Sequence, residues 1–291
     1  EKKYEVILSC GGLGTRLKDI TEDIPKPLFP ILGKSTLERI IEELCKFSIE
    51  NILITLGYKS KKFIDLIQIL IKKYNVNIEV FIEDSPLGEC GALWEIKDKL
   101  TDNFIFINGD LIFSMDLNRL KTFHKRLSSN LTLVTHTSDH PEDSDLVSAP
   151  NGTLIEKIFL KNEKRISNLT AYLGNSGICM INKKLIYKIN PPKQNESKSI
   201  FHFIVKSAFD LKFNIYSYNT SEYIKDMGTP KRFQIIEKDI LSEKVNSKNY
   251  LYKQKALFLD RDNTLIKCDN GDYILKKNKI NFLYENILKI S

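Results

Sequence analysis

The chain has 291 residues, 42% of them hydrophobic, and a formal net charge of +7 from 44 basic and 37 acidic residues. This length can bury one large core or two modest ones. The basic excess is scattered, and no basic run is interleaved with aromatic residues, which disfavours nucleic-acid binding. We expect neither a membrane span nor a secretory signal, because no 18 apolar residues run together and the N-terminus leads straight into a strand. The five dispersed cysteines form no C-x-x-C pair, which predicts reduced thiols in a cytoplasmic protein.

Up to about residue 110, short β-rich runs alternate with longer helical runs. Strands are predicted at residues 5–10, 51–56, 77–82 and 103–108, and helices at 36–47, 60–74 and 91–100. We expect Thr36 and Ser60 to cap the first two helices. The alternation predicts an α/β fold with a mostly parallel, Rossmann-like sheet, helices on both faces and ligands at the carboxyl ends of the strands.

A glycine-rich turn follows the first predicted strand. Its five notable residues are Gly11, Gly12, Gly14, Thr15 and Arg16. Three glycines within four positions let backbone N–H groups approach a polyphosphate, and the arginine adds a positive fork. A dinucleotide-binding loop would need glycine at Leu17, and a P-loop would need it at Leu28, so both patterns are excluded. Ten residues further on, Pro25 and Pro27 are expected to hold Lys26 on a stiff, extended stretch.

The pattern G-G-x-G-T-R-L followed by P-K-P-L-x-P resembles the N-terminal signature of the sugar-1-phosphate nucleotidylyltransferases. The resemblance covers roughly residues 4–241 and implies that the glycine loop and Thr15 bind the β- and γ-phosphates of a nucleoside triphosphate. It also implies that Arg16 steadies the leaving pyrophosphate and that Lys26 contacts the α-phosphate.

Residues 86–93 resemble the P-L-G-x-x-G-A-L element of the same family, whose loop lies against the nucleotide base. There Gly88 would let the backbone reach the base edge, while Glu89 and Cys90 stand where the family more often has small residues. We expect Glu89 or Glu83 to accept hydrogen bonds from guanine N1 and N2. The alternative for Glu89 is an acid that complements a helix dipole.

Two aspartates are candidate metal ligands, one at the end of an apolar strand and one in a motif before a helix. Asp110 ends the run at residues 104–108, where a magnesium ligand would lie at the sheet edge. Asp226 opens a stretch that resembles the D-x-G-T-P motif of the family, in which the second metal aspartate precedes a helix, here at about residues 231–241. The resemblance implies that both hold Mg²⁺, whereas a turn-stabilising role for Asp110 is the alternative.

From about residue 131 to 225 the pattern changes to strands with turn residues. Strands at residues 131–136, 148–149, 154–160 and 174–181, with a hairpin turn at 151–152, predict an antiparallel extension that closes over the substrate side. By resemblance, Asn175 and Gly177 contact the sugar and Lys161 holds its phosphate, with Lys164 as a rival. The family has glutamate where Leu160 stands. The four histidines, at positions 124, 136, 140 and 202, are expected to be structural or on the surface.

Residues 242–255 are predicted to be a linker or a solvated helix end, and a new strand is expected to begin at residue 256. Asp260 and Asp262 stand two apart at its end, a spacing that suits a nucleophilic carboxylate with a general acid beside it. The segment resembles motif I of the haloacid dehalogenase superfamily phosphatases, in the branch of the heptose bisphosphate and histidinol phosphatases. Residues 256–291 have no place for the later motifs, so we expect an incomplete α/β phosphatase domain without activity.

These resemblances imply a bifunctional arrangement in which residues 1–241 transfer a nucleotidyl group, with GTP favoured, to a sugar 1-phosphate. The phosphatase resemblance favours D-glycero-D-manno-heptose 1-phosphate, in nucleotide-sugar biosynthesis toward lipopolysaccharide or capsule. Mannose-1-phosphate guanylyltransferase and glucose-1-phosphate uridylyl- or thymidylyltransferase are the alternatives. A non-catalytic nucleotide-sugar-binding homologue and a phosphatase with an accessory N-terminal half are alternatives of other classes. The sequence leaves the oligomeric state open, including a homo-oligomer.

Overall fold

The structure is a computed structural model that describes residues 3–12, 24–57, 59–85, 87–138, 141–161, 172–193, 199–254, 257–268 and 280–283. The chain divides into two units, Glu1–Tyr252 and Lys253–Ser291. Within the described ranges, no helix combines the length and apolar character needed to cross a bilayer.

The first unit carries all the named strands and α-helices. The strands are β1 (Tyr4–Ser9), β2 (Pro30–Ile31), β3 (Lys34–Ser35), β4 (Asn51–Leu56), β5 (Asn77–Ile82), β6 (Leu100–Asn108), β7 (Leu111–Ser114), β8 (Leu131–Thr137), β9 (Leu146–Ser148), β10 (Lys157–Phe159), β11 (Leu173–Asn182), β12 (Ile215–Asn219) and β13 (Tyr223–Asp226). The helices are α1 (Thr36–Cys45), α2 (Lys61–Tyr74), α3 (Gly88–Ile96), α4 (Leu117–Arg126), α5 (Lys184–Lys188), α6 (Lys206–Asp210), α7 (Pro230–Leu241) and α8 (Lys244–Ser247).

The central sheet has the order β10-β9-β11-β6-β1-β4-β5. Strand β8 also pairs with β11, and β12 pairs with β8. Strand β1 pairs in parallel with β4 and β6, and β4 pairs in parallel with β5. Strand β11 runs antiparallel to β6, β8 and β9. The predicted α/β fold, parallel in its first half and extended by antiparallel strands, is confirmed.

The inner parallel strands β1 and β4 are buried on both faces, which explains their continuous apolar sequence. In β1, Val6 and Leu8 belong to the core on the side of α1 and α2, while Ile7 belongs to the core on the side of α3. All three are 0% exposed. The period-two alternation of a strand thus divides one hydrophobic run between two helical layers.

Of the two predicted helix caps, Thr36 is wrong, whereas Ser60 does stand at the N-cap position of α2. Helix α1 is capped by Ser35, whose Oγ accepts a 3.1 Å hydrogen bond from the N–H of Glu38. Thr36 is the first helical residue instead, and its buried hydroxyl donates to Met227 Sδ at 3.3 Å. Ser60 makes no side-chain capping bond. Serine is preferred over threonine at the N-cap, which agrees with the choice of Ser35 over the adjacent Thr36.

The prediction that Lys26 lies on an extended stretch is also wrong. Lys26–Leu28 forms a 3₁₀ turn, which starts after the extended Pro25 and ends before the extended Phe29. Pro27 is compatible with this turn because the fixed φ of proline suits the first positions of a helix.

The antiparallel part has one element pair that the sequence pattern did not predict. Strand β13 pairs antiparallel with β7, with Asp226 opposite Leu111 and Tyr223 opposite Ser114. The hairpin turn between β9 and β10 is confirmed, since Gly152 has φ +94° and its N–H donates to the carbonyl of Ala149 at 2.9 Å.

In the second unit, the strand expected from residue 256 is not formed within the described residues 257–268. Only isolated bridges join Ile266 to Asp262 and to Phe282. A lone apolar run needs neighbouring strands before it can form a stable ladder.

Candidate active site

The carboxyl ends of β1, β4 and β6 meet at one rim, as predicted. The N–H of Cys10 donates to the carbonyl of Thr55 at 2.9 Å, and the N–H of Gly109 donates to the carbonyl of Ser9 at 2.9 Å. A Cβ on Gly109 would lie 2.5 Å from Cys10 Sγ and 2.8 Å from the Ser9 carbonyl oxygen. Only glycine lets this turn pass so close to β1, and the turn presents Asp110 to the rim.

A cavity of about 740 Å³ lies at this rim. Eight predicted site residues line it, namely Gly12, Lys26, Glu89, Asp110, Lys161, Asn175, Gly177 and Asp226. Gly11 and Gly88 lie in the described parts of the chain but do not line the cavity. The predicted roles of Gly14, Thr15, Arg16 and Lys164 fall outside the described residues.

Asp110 and Asp226 are brought together by the β7–β13 ladder. The N–H of Met227 donates to the carbonyl of Asp110 at 3.0 Å. Lys26 Nζ lies 3.5 Å from Asp110 Oδ2. Burial raises the pKa of the Asp110 carboxyl; the nearby Lys26 charge lowers it and the Asp226 charge raises it again. The two aspartates and the lysine therefore share one electrostatic environment.

Arg232, which the sequence reasoning missed, holds the second aspartate. Its Nη1 lies 2.6 Å from Oδ1 and 2.7 Å from Oδ2 of Asp226, and the N–H of Gly228 donates to the same Oδ1 at 2.7 Å. Thr229 caps α7 by accepting a hydrogen bond from the N–H of Arg232 at 3.3 Å. The cap orients the first turn of α7 toward Asp226. The position of Arg232 in that first turn is the sequence feature from which its role could have been predicted.

The pair of aspartates fits a hard divalent cation. Carboxylate oxygens are the ligands that Mg²⁺ prefers, and it commonly takes one or two of them together with phosphate oxygens and water. Within the described ranges, no three or more His, Cys, Asp or Glu side chains converge as a complete metal site. The residues therefore suit a cation that is shared with a phosphorylated ligand.

Cys10 lines the same cavity but is a poor candidate nucleophile. Its side chain is buried, and burial, with the Asp110 charge adding to it, raises the pKa of its thiol far above the ordinary value. A protonated thiol is not nucleophilic. All five cysteines are free thiols.

A further part of the cavity lining comes from β11 and the end of β10. The pairing of β11 with β8 shifts register between Asn175 and Cys179, and Gly177 there has φ +82°. The N–H of Gly177 donates to Asn175 Oδ1 at 3.3 Å. The bulge interrupts the ladder and brings both predicted sugar contacts to the cavity wall. Leu160 packs instead against the core on the α3 side.

Two histidines expected to be structural or on the surface are at this wall. His136 lines the cavity. His202 lies in a π-helical turn, Phe201–Val205, and its Nε2 is 2.8 Å from Asp145 Oδ1. Asp145 lines the cavity and also accepts a 2.9 Å hydrogen bond from the N–H of Lys161. Sequence spacing could not reveal this pair, because residues 145 and 202 are brought together only by the fold.

The structure separates the two candidate base-reading glutamates. Glu83 Oε2 accepts a 3.0 Å hydrogen bond from the N–H of Leu87, and a Cβ on Gly11 would lie 3.3 Å from Glu83 Oε1. Glu83 is therefore beside the glycine loop. Glu89 Oε2 accepts a 3.1 Å hydrogen bond from the N–H of Ile200 and lies at the cavity wall. Burial raises the pKa of both carboxyls.

Comparison with known proteins links this geometry to a family. Residues 4–243 match the sequence model of the nucleotidyl transferase family. The fold is similar to that of HddC from Yersinia pseudotuberculosis, with a TM-score of 0.66 and 27% identity over 81% of this chain and 99% of that one. The structure of HddC complexed with GMP-PN is similar at a TM-score of 0.64, with 28% identity and the same coverage.

Two curated proteins illustrate the sequence similarity. The D-glycero-alpha-D-manno-heptose 1-phosphate guanylyltransferase of Campylobacter jejuni is 30% identical over 239 residues, which cover 79% of this chain and 96% of that protein. A mannose-1-phosphate guanyltransferase of Schizosaccharomyces pombe is 28% identical over 234 residues, or 79% of this chain. The alignment covers only 62% of the length of that yeast relative.

Proposed function

This chain belongs to the nucleotidyl transferase family, and we propose that it transfers GMP from GTP to a sugar 1-phosphate and releases pyrophosphate. The observation that carries the proposal is the meeting of Asp110, Asp226 and Lys26 in one cavity. The preferred acceptor in this proposal is D-glycero-D-manno-heptose 1-phosphate.

The reaction is an in-line substitution at the α-phosphorus. An oxygen of the sugar phosphate forms the new bond to that phosphorus, and the bond from it to the α,β-bridging oxygen breaks. Its electron pair leaves with pyrophosphate. No general base is required, because the attacking phosphate is already ionised at neutral pH. The protein's task is to align two polyanions that repel each other.

Positive side chains around the cavity supply part of that alignment. Lys26 is proposed to contact the α-phosphate, where negative charge grows in the transition state, and Lys161 to hold the sugar phosphate. Lys225, Lys231 and Arg232 line the remaining phosphate side. A positioned charge of this kind is worth about 3–4 kcal/mol in the transition state.

Asp110 and Asp226 are the residues that would hold a divalent cation, with Mg²⁺ as the proposed ion. When bound, such a cation offsets the repulsion between the two phosphorylated substrates. Arg232 forms an ion pair with Asp226. The proposed cation and Arg232 would therefore compete for the oxygens of this carboxylate.

Guanine is the proposed base, and the position of Glu83 beside the glycine loop supports it as the reader of N1 and N2. A carboxylate accepts both hydrogen bonds, whereas uracil and thymine have one N–H to offer. Glu89, the other candidate, is on the sugar-facing wall.

The acceptor is proposed from similarity. The Campylobacter jejuni relative, whose name specifies a heptose acceptor, is matched over 96% of its length. The yeast relative named for mannose 1-phosphate makes that sugar the second candidate. Asp260 and Asp262, in the second unit, retain only a resemblance to phosphatase motif I, and the family match ends at residue 243. We propose no phosphatase activity for this chain.

A pyrophosphate-release assay tests the proposal. Each of GTP, ATP, UTP, CTP and dTTP is combined with heptose, mannose or glucose 1-phosphate and Mg²⁺. Release from GTP that requires a sugar 1-phosphate is the expected result. Release with UTP or dTTP and glucose 1-phosphate would instead indicate a glucose-1-phosphate uridylyl- or thymidylyltransferase. Binding without release would indicate a non-catalytic homologue, and phosphate release from heptose 1,7-bisphosphate would indicate an active phosphatase.

A further inference from the structure

The lining of the cavity carries two carboxylates besides the aspartate pair, Glu89 and Asp145. Each already accepts backbone hydrogen bonds, from Ile200 to Glu89 and from Lys161 to Asp145. A carboxylate has about four acceptor positions, so both groups retain capacity for a ligand. The mechanism proposed above uses neither of them.

Asp145 is oriented by His202, a residue outside the cavity lining. His202 does not line the cavity, yet its Nε2 is 2.8 Å from Asp145 Oδ1. The Asp145 carbonyl also accepts a 2.9 Å hydrogen bond from the N–H of Asn175. The aspartate is thus tied to Lys161 and Asn175, the two residues proposed to hold the sugar phosphate and the sugar.

A separate observation indicates that this wall faces a ligand with hydroxyl groups. Asn108 lines the cavity, and its Oδ1 is buried without a hydrogen-bond partner among the described residues. A buried acceptor without a partner costs free energy. A ligand hydroxyl that reached this oxygen would relieve that cost. Gly177 lies beside the same side chain, since a Cβ there would be 3.2 Å from Asn108 Nδ2.

Glu89 lies close to both ends of the cavity. Burial raises the pKa of its carboxyl, and the negative charges of Asp110 and Asp145 raise it further, against the hydrogen bond from Ile200 and the charge of His202. A second anionic group on the sugar would lie near Glu89 and Asp145, and no positive side chain is assigned to bind that group. Like charges that share a partly desolvated cavity repel each other.

We propose that Glu89 and Asp145 determine acceptor specificity: they accept hydrogen bonds from the hydroxyls of an uncharged aldose 1-phosphate and exclude aldose phosphates that carry a second anionic group. His202 is a positioning residue that orients Asp145. The inference rests on the proposed function, and it limits the substrate class to sugar monophosphates phosphorylated only at C1.

The test compares D-glycero-D-manno-heptose 1-phosphate with its 1,7-bisphosphate, and mannose 1-phosphate with its 1,6-bisphosphate, in the full chain. Wild-type enzyme is expected to prefer each monophosphate at least 100-fold in kcat/KM. Glu89→Gln and Asp145→Asn are each expected to raise KM for the monophosphate about tenfold and to reduce the preference about tenfold. In all variants the KM for GTP stays within twofold. The matched control, Glu95→Gln on the same helix and exposed, leaves every value unchanged.

His202→Asn separates positioning from folding. It is expected to raise KM for the sugar phosphate severalfold with kcat within twofold and the melting temperature unchanged. A higher KM for GTP in Glu89→Gln, with the sugar values unchanged, would overturn the inference and assign Glu89 to the base. Equal use of mono- and bisphosphates by wild-type enzyme would also overturn it.

Failure of the proposed function is distinguishable from failure of this inference. If wild-type chain releases no pyrophosphate with any sugar, calorimetry measures binding of the same four sugar phosphates in the presence of a non-hydrolysable GTP analogue. If the chain binds only the monophosphates and Glu89→Gln loses this selectivity, the specificity role of Glu89 is supported even without catalysis. Equal binding of mono- and bisphosphates would contradict that role.

Discussion

The backbone N–H of Met227 donates a 3.0 Å hydrogen bond to the carbonyl of Asp110. This bond extends the β7–β13 ladder by one step and carries Asp226 to the side of Asp110, more than a hundred positions away in the sequence. The ladder, and not a flexible loop, therefore determines the separation of the two carboxylates, as precise placement of charge requires.

Asp226→Asn is expected to reduce kcat/KM about 10³-fold, because the amide is a weaker ligand for a divalent cation and cannot offset its charge. Mn²⁺ titration without substrates should show weaker binding as a readout independent of turnover. Asp65→Asn, an exposed change of the same kind on α2, is the control and should leave both measurements unchanged. Full activity of the Asp226 variant would contradict the metal assignment.

Lys26→Met is expected to lower kcat about 100- to 1,000-fold with a small change in the KM for GTP, because the lysine is proposed to act mainly on charge that grows in the transition state. Steady-state kinetics with saturating sugar phosphate checks this. The control is Lys34→Met, a half-exposed lysine in β3 that pairs with Glu42. A large rise in KM at constant kcat would indicate a ground-state contact instead.

Gly109→Ala is expected to destabilise the first unit by about 2 kcal/mol, because the new Cβ overlaps Cys10 Sγ and the Ser9 carbonyl oxygen. Denaturant unfolding measures this loss. Adding Cys10→Ala removes the closest clash and should recover part of the stability, a non-additive result that contact between the two positions requires. Simple additivity would show that the turn relaxes away from β1.

Glu83→Gln is expected to raise the KM for GTP about tenfold and to reduce the preference for GTP over UTP, since hydrogen bonds to a charged acceptor are worth about 1.5–3 kcal/mol. Competition between the two nucleotides provides the measurement. Glu89→Gln should leave the nucleotide preference unchanged. The reverse pattern would assign base recognition to Glu89.

His124 predicts a pH-dependent loss of stability. It is buried, with Nδ1 2.9 Å from Thr132 Oγ1 and Nε2 3.1 Å from Asn103 Oδ1, and burial lowers its pKa from 6.5 to about 4. Between these values the unfolded chain binds a proton that the folded chain does not. The free energy of unfolding should therefore fall as pH drops from 6.5 to 4, by ~3 kcal/mol from this residue.

Denaturant unfolding of wild type and His124→Gln between pH 7 and pH 4 checks this sign. The variant loses some stability at pH 7 but should show a shallower decline with acid. If the free energy of unfolding falls equally with acid in both proteins, His124 is not the cause of the pH dependence.

Local pattern was sufficient for much of the first half of the fold. Strands β4 and β5 have the predicted bounds, and α2 begins one residue later than expected. These elements depend on hydrophobic periodicity, which can be read from residues that are neighbours in the sequence. The short β13 was missed because it depends on pairing with β7, which lies far away in the chain. The cap at Ser35 is a local bond to Glu38, so there the local pattern itself was misread.

The sequence alone determined the kinds of group available: a glycine-rich loop after a buried strand, a lysine between prolines, and two aspartates at strand ends. These follow from residue identity and spacing. Only the tertiary structure decided which groups share a cavity. It joined Asp145 to His202, set Arg232 on Asp226, and placed Glu83 and Glu89 on different sides of the site. The physical reason is that pairing and packing between distant segments, not local propensity, determine the distances between charges.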